Sequence, residues 1–134
     1  MSDNYGSCLC GTVKFKITGD FESFYLCHCE HCQKDTGSAH AANLFSQSAE
    51  LVWQAGENAI RQFTLPGTCH SKSFCKLCGS ALPNVQMGGA LLVVPAGSLD
   101  SKFTFRPTAH IFTSSKAPWD YEFEAIPEFD TFPK

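Results

Sequence analysis

Three cysteines stand within six residues at Cys27-His28-Cys29-Glu30-His31-Cys32, a C-x-C-x-x-C cluster that follows the apolar run Phe21 to Leu26. A cysteine used as core filler is placed singly, so this density points to a shared task. Three thiolates make a soft grip suited to zinc. In extended backbone alternate residues share a face, so Cys27 and Cys29 converge while His28 points away, towards solvent. A helical turn beginning near Glu30 would put Cys29 and Cys32 on one face. Structural zinc sites are closed by four protein ligands, whereas catalytic sites leave a position for water or substrate.

Two further pairs frame this cluster. Cys8-Leu9-Cys10-Gly11 and Cys75-Lys76-Leu77-Cys78-Gly79 read as knuckle halves, each followed by a glycine that can take a positive φ where the chain turns round a metal. Together they make a closed four-cysteine site that clamps the N-terminus to mid-chain, with a binding free energy of about 10–16 kcal/mol. Cys27, Cys29 and Cys32 then form a second site that is one ligand short. Cys69 either completes it or is a plain packed thiol. Strand alternation from Cys69 to Cys75 places Cys69 on the Cys75 side, nearer the four-cysteine metal. His28 and His31 flank the open cluster and could act as acid, base or alternative ligand, although both point away from the thiolates. His110, in an apolar stretch, is either a satisfied core imidazole or a proton carrier. His40 and His70 have no partner visible in the sequence.

The elements that must position these residues are short. Thr12 to Thr18 alternates Val13, Phe15 and Ile17 against Lys14 and Lys16, the pattern of a half-buried strand. Phe21 to Leu26, Ala39 to Phe45, Leu51 to Trp53, Ala59 to Leu65, Leu91 to Val94 and Ala109 to Thr113 read as further strands. Glu30 to Thr36 reads as a short helix that Gly37 stops. At 134 residues the chain reads as one domain, 1–134, with 119–134 as a C-terminal arm laid across the β core. That segment alternates acids with aromatics, and so many aromatics are atypical of disorder.

The totals exclude several classes. A net charge of −3, with no cluster of Lys and Arg, argues against nucleic acid as a partner. No apolar window is long enough to span a membrane, and Met1-Ser2-Asp3-Asn4 resembles no export signal. The expected setting is therefore cytoplasmic, where eight cysteines point to metal or thiol chemistry rather than disulfides. Cys29 and Cys32, as C-x-x-C, could also carry a redox switch.

Three motifs carry a resemblance. They are Gly6-Ser7-Cys8-Leu9-Cys10-Gly11-Thr12-Val13, Cys27-His28-Cys29-Glu30-His31-Cys32-Gln33-Lys34 with Gly37-Ser38, and Phe74-Cys75-Lys76-Leu77-Cys78-Gly79. With His110-Ile111-Phe112 and Ser115-Lys116-Ala117-Pro118-Trp119, they resemble the glutathione-dependent formaldehyde-activating enzyme (GFA) family, which includes the centromere-protein-V-like proteins. The resemblance implies a mainly β fold, the β-tent, of small antiparallel sheets organised by two zinc ions. It implies that Cys8, Cys10, Cys75 and Cys78 hold a structural zinc and that Cys27, Cys29 and Cys32 hold a catalytic one. The implied activity is that of a carbon–sulfur lyase, joining a small thiol such as glutathione to formaldehyde and reversing the reaction. His110 and His31 are the acid–base candidates. The alternative is a zinc-organised protein-binding module without turnover.

Overall fold

A computed structural model describes residues 2–133; Met1 and Lys134, the outermost residues of the two terminal readings above, lie outside it. The strands in chain order are β1 (Asp3–Ser7), β2 (Lys14–Thr18), β3 (Ser23–Cys27), β4 (Ala41–Ser46), β5 (Glu50–Ala55) and β6 (Ile60–Thr64). After these come β7 (Ser71–Cys75), β8 (Ala81–Leu82), β9 (Asn84–Gln86), β10 (Leu91–Pro95) and β11 (Ala109–Ile111). They form three small sheets, ordered β1-β2-β5, β11-β3-β4-β10-β9 and β6-β7-β8. Among the described residues α1 (Glu30–Thr36) is the one α-helix. The fold is mainly β with a single short helix, as the sequence predicts.

The alternation read in Thr12 to Thr18 is what the packing uses: Val13, Phe15 and Ile17 are all fully buried. They join Leu44, Leu82, Leu92 and Val94 in one core that also takes in Cys8 and Cys75. The first knuckle and the second are thus built into the same apolar body. Burying core side chains of this size contributes roughly 1.5–3 kcal/mol each.

One pairing departs from the antiparallel pattern. β11 runs parallel to β3, with His110 opposite Leu26 and Ile111 opposite Cys27, so the largest sheet is mixed. This strand also ends at Ile111, not Thr113, because Phe112 turns into the left-handed region at φ 57°. The segment beyond is pinned at its root, where Ala117 and Asp120 are buried, while residues 121–133 are exposed at every position.

Candidate functional site

The four cysteines of the knuckle pairs converge, with all four sulfurs within 4.8 Å of one another. Cys8 Sγ lies 3.6 Å from Cys10 Sγ, and Cys10 Sγ lies 4.0 Å from Cys75 Sγ. Disulfide sulfurs sit near 2 Å apart. The edge of a tetrahedron with zinc–sulfur bonds of about 2.3 Å is roughly 3.8 Å, so these spacings suit zinc and exclude disulfides. Gly11 and Gly79 take φ of 83° and 76° where each knuckle turns. Ser80 cross-links the halves: its Oγ accepts the Leu9 N–H at 3.1 Å and lies 3.5 Å from Cys78 Sγ. The Ser80 hydroxyl, aided by backbone N–H groups of Ser80 and Cys10, holds the Cys78 thiol down to about 5. That sulfur is an anion at neutral pH, ready to ligate.

Cys27, Cys29 and Cys32 make the second cluster, again within 4.8 Å. Each is delivered by a different local device. Cys27 ends β3, while Cys29 is the extended N-cap of α1 and accepts the Cys32 N–H through its sulfur at 3.3 Å. Cys32 sits inside the helix on its buried face. Gly37 caps the other end in the left-handed conformation (φ 65°). Burial pushes the Cys27 and Cys32 thiols up, and the sulfurs crowded around Cys32 add to it. Burial opposes ionisation at Cys29 too, but the Cys32 N–H and the neighbouring thiols outweigh it and lower its pKa. Three sulfurs of which two resist ionising when buried suit a cation that favours thiolate, so the donor set fits zinc.

Among the described residues no fourth His, Cys, Asp or Glu joins this cluster. Cys69 is exposed and belongs to neither cluster, so it is not the packed thiol that its type suggests.

The histidines fall differently from the sequence reading. His28 does turn away from the sulfurs, but into the protein: it is 1% exposed rather than solvated. Its Nε2 lies 2.8 Å from Nδ1 of His110, which is itself exposed rather than a core imidazole. Burial, with His40 next in weight, pushes the His28 imidazole down in pKa and favours its neutral form. His31 is exposed on α1, its ring centroid 5.5 Å from that of His70. His70 gains a partner that the sequence could not show, since its Nε2 lies 2.9 Å from Asp35 Oδ2 while Lys72 Nζ is 2.6 Å from Asp35 Oδ1.

These side chains front a groove of about 450 Å³ lined by Glu30, His31, Lys34, Asp35, Phe63, Leu65, His70 and Lys72. One wall is α1, the helix that also carries Cys32, and the other is the hairpin of β6 and β7. The apolar lining comes from Phe63 and Leu65. Lys34 and Lys72 bring two positive groups to the groove and Glu30 and Asp35 two acidic ones, Lys72 being paired with Asp35.

The fold and the site define a small β protein with a four-sulfur and a three-sulfur cluster, each of which could hold zinc. The sequence profile of the glutathione-dependent formaldehyde-activating enzyme family matches residues 3–115, and the chain belongs to that family. Its fold is similar to that of a Rhodobacter sphaeroides protein of known crystal structure, with a TM-score of 0.62 at 16% identity over 79% of this chain and 98% of that one. No curated protein matches the chain.

Proposed function

We propose that this protein is a zinc-dependent carbon–sulfur lyase that adds a small thiol of the glutathione type to formaldehyde and reverses the addition. One observation carries the reading: three converging thiols, with no fourth protein donor among the described residues, one of them on a helix whose other residues wall a groove. A zinc ion held by Cys27, Cys29 and Cys32 supplies stabilisation of a thiolate at neutral pH. Cys8, Cys10, Cys75 and Cys78 hold a second zinc in a structural role, closed by its own four ligands.

The chain's residues do the rest. Phe63 and Leu65 give the organic part of the thiol an apolar seat, and Lys34, which lines the same groove, faces a carboxylate. In the forward direction the thiol loses its proton, its sulfur forms a bond to the formaldehyde carbon, and the carbonyl oxygen takes a proton to become hydroxyl. The reverse removes the hydroxyl proton, re-forms C=O and releases the thiolate. His31, at the groove wall, is placed to carry that proton, and a neighbouring imidazole on His70 can exchange with it. His110 is given a different task, because its Nδ1 is engaged with His28. The cytoplasm, with its abundant thiols, is the setting that fits.

The test is the rate at which glutathione, formaldehyde and their adduct equilibrate, followed by NMR with and without the protein. Acceleration that Cys32→Ala abolishes, with the circular dichroism spectrum kept, supports the lyase. A binding module without turnover predicts no acceleration, and damage to folding from Cys27→Ala as severe as from Cys75→Ala.

A further inference from the structure

Away from the cysteine clusters, three buried polar atoms converge without hydrogen-bond partners. They are His28 Nδ1, His40 Nδ1 and Asp120 Oδ2. One ligand atom from each residue lies within 4.8 Å of the other two. Leaving a buried polar group unpaired costs about 1–3 kcal/mol, and native proteins leave few. Three such groups meeting at one point call for something between them.

The tautomers narrow what that something is. His28 Nε2 and His110 Nδ1 lie 2.8 Å apart and share one proton. If His28 supplies it, neutral His28 turns a bare Nδ1 lone pair on the Asp120 carboxylate, whose Oδ2 is 3.2 Å away. Two lone pairs at that distance repel unless a cation lies between. If His110 supplies the proton instead, His28 Nδ1–H faces Asp120 in an alignment that makes no hydrogen bond, and His40 Nδ1 is still orphaned. Metal–nitrogen and metal–oxygen bonds of about 2.0–2.1 Å give a tetrahedral edge of roughly 3.3 Å, close to the spacing seen. The His28–His110 contact is then an outer-shell bond of the kind that fixes a ligating imidazole's tautomer.

We propose that His28, His40 and Asp120 form a third metal site, for a divalent first-row transition ion such as zinc. The three ligands come from three places: His28 follows β3, His40 precedes β4, and Asp120 roots the C-terminal segment. Gln33 ties the first of these to the segment leading to the last, its Nε2 donating to His28 O at 2.7 Å and to Ser115 O at 2.9 Å. Asp120 lies beyond residues 3–115, the stretch that the family profile matches, so the site is not contained in that match. Its chemistry also differs from that of its neighbour. Three thiolates overcompensate a divalent ion, whereas two neutral imidazoles and one carboxylate leave it net positive and a stronger Lewis acid. Strand alternation sets the two centres on opposite sides of the Cys27–Cys29 backbone, His28 belonging to one and its sequence neighbours to the other.

The experiment uses the full chain, dialysed against excess zinc, desalted and analysed for metal per chain. Three equivalents are expected, matching the three ligand groups. After exchange with cadmium-113, NMR should show two sulfur-ligated resonances and one in the nitrogen–oxygen range. His40→Gln and Asp120→Asn should each remove that last resonance and one equivalent, leaving both sulfur resonances, whereas His70→Gln should leave all three. A wild-type chain that saturates at two equivalents with no nitrogen–oxygen resonance overturns the proposal, whatever the variants do. So does a third equivalent that survives both His40→Gln and Asp120→Asn, or one that His70→Gln removes. Neither result bears on the sulfur centre or on the lyase reading, which stand on Cys27, Cys29 and Cys32.

Discussion

At the scale of single residues, identical side chains have opposite duties according to what surrounds them. Cys32 ends a cluster with three protein ligands, so Cys32→Ala should cost one metal equivalent and the activity while the fold persists. Cys75, fully buried in the main core, is a different case. Cys75→Ala should abolish cooperative thermal unfolding, because the closed zinc site proposed for its cluster would be worth as much as a whole domain's stability of about 5–15 kcal/mol. Ser80 offers a finer probe. Removing its hydroxyl in Ser80→Ala takes a hydrogen bond from the Cys78 sulfur and should speed loss of zinc to a chelator severalfold. The cysteine motifs were legible in the sequence because their short spacings let the sulfurs within each one meet, while the meeting of Cys8 and Cys10 with Cys75 and Cys78 rested on the knuckle pattern and the family resemblance. The histidine–aspartate group was not. His28, His40 and Asp120 lie in three segments with no shared spacing, and Asp120 was masked by an acid-and-aromatic stretch that looks the same whether it is packed or solvated.

At the scale of elements, each ligand depends on how one short segment ends. The helix Glu30–Thr36 was readable to the residue, since Gly37 supplies a left-handed cap that few residues other than Gly adopt. β8 and β9 were not readable, as strands of two and three residues leave no period to detect. Nor was β1, since Asp3-Asn4-Tyr5-Gly6-Ser7 has no apolar alternation to mark a strand; pairing with β2 makes it one. Within β1, Gly6 is held close to its neighbours: a Cβ there would run into the Phe15 ring and the Ser98 carbonyl oxygen. Gly6→Ala should therefore push β1 off the core and drag Cys8 and Cys10 out of register. The expected loss is about 1–3 kcal/mol, read by denaturant unfolding with zinc present.

At the scale of the whole molecule, the two sulfur centres should part company with acid. Metal binding needs thiolate, so protons compete for every ligand. Cys78, held down to about 5, stays anionic as pH falls towards that value and keeps its share of binding until then. Burial pushes Cys75 up in that centre too, but in the Cys27 centre it pushes up two of only three sulfurs, with Cys29 alone lowered, so protons reclaim that centre at higher pH. Bound zinc measured against falling pH should drop in two steps, the Cys27 centre first, with activity lost in the first step and cooperative unfolding in the second. The closed centre has a further consequence for how the chain is made. Its sulfurs join Cys10 to Cys75 across 65 positions. The first knuckle leaves the ribosome long before its mate, and Cys8 and Cys10 must wait with open sulfurs for the latecomer. In cells starved of zinc, newly made copies should accumulate as clumped, protease-sensitive material, while copies finished before the shortage persist.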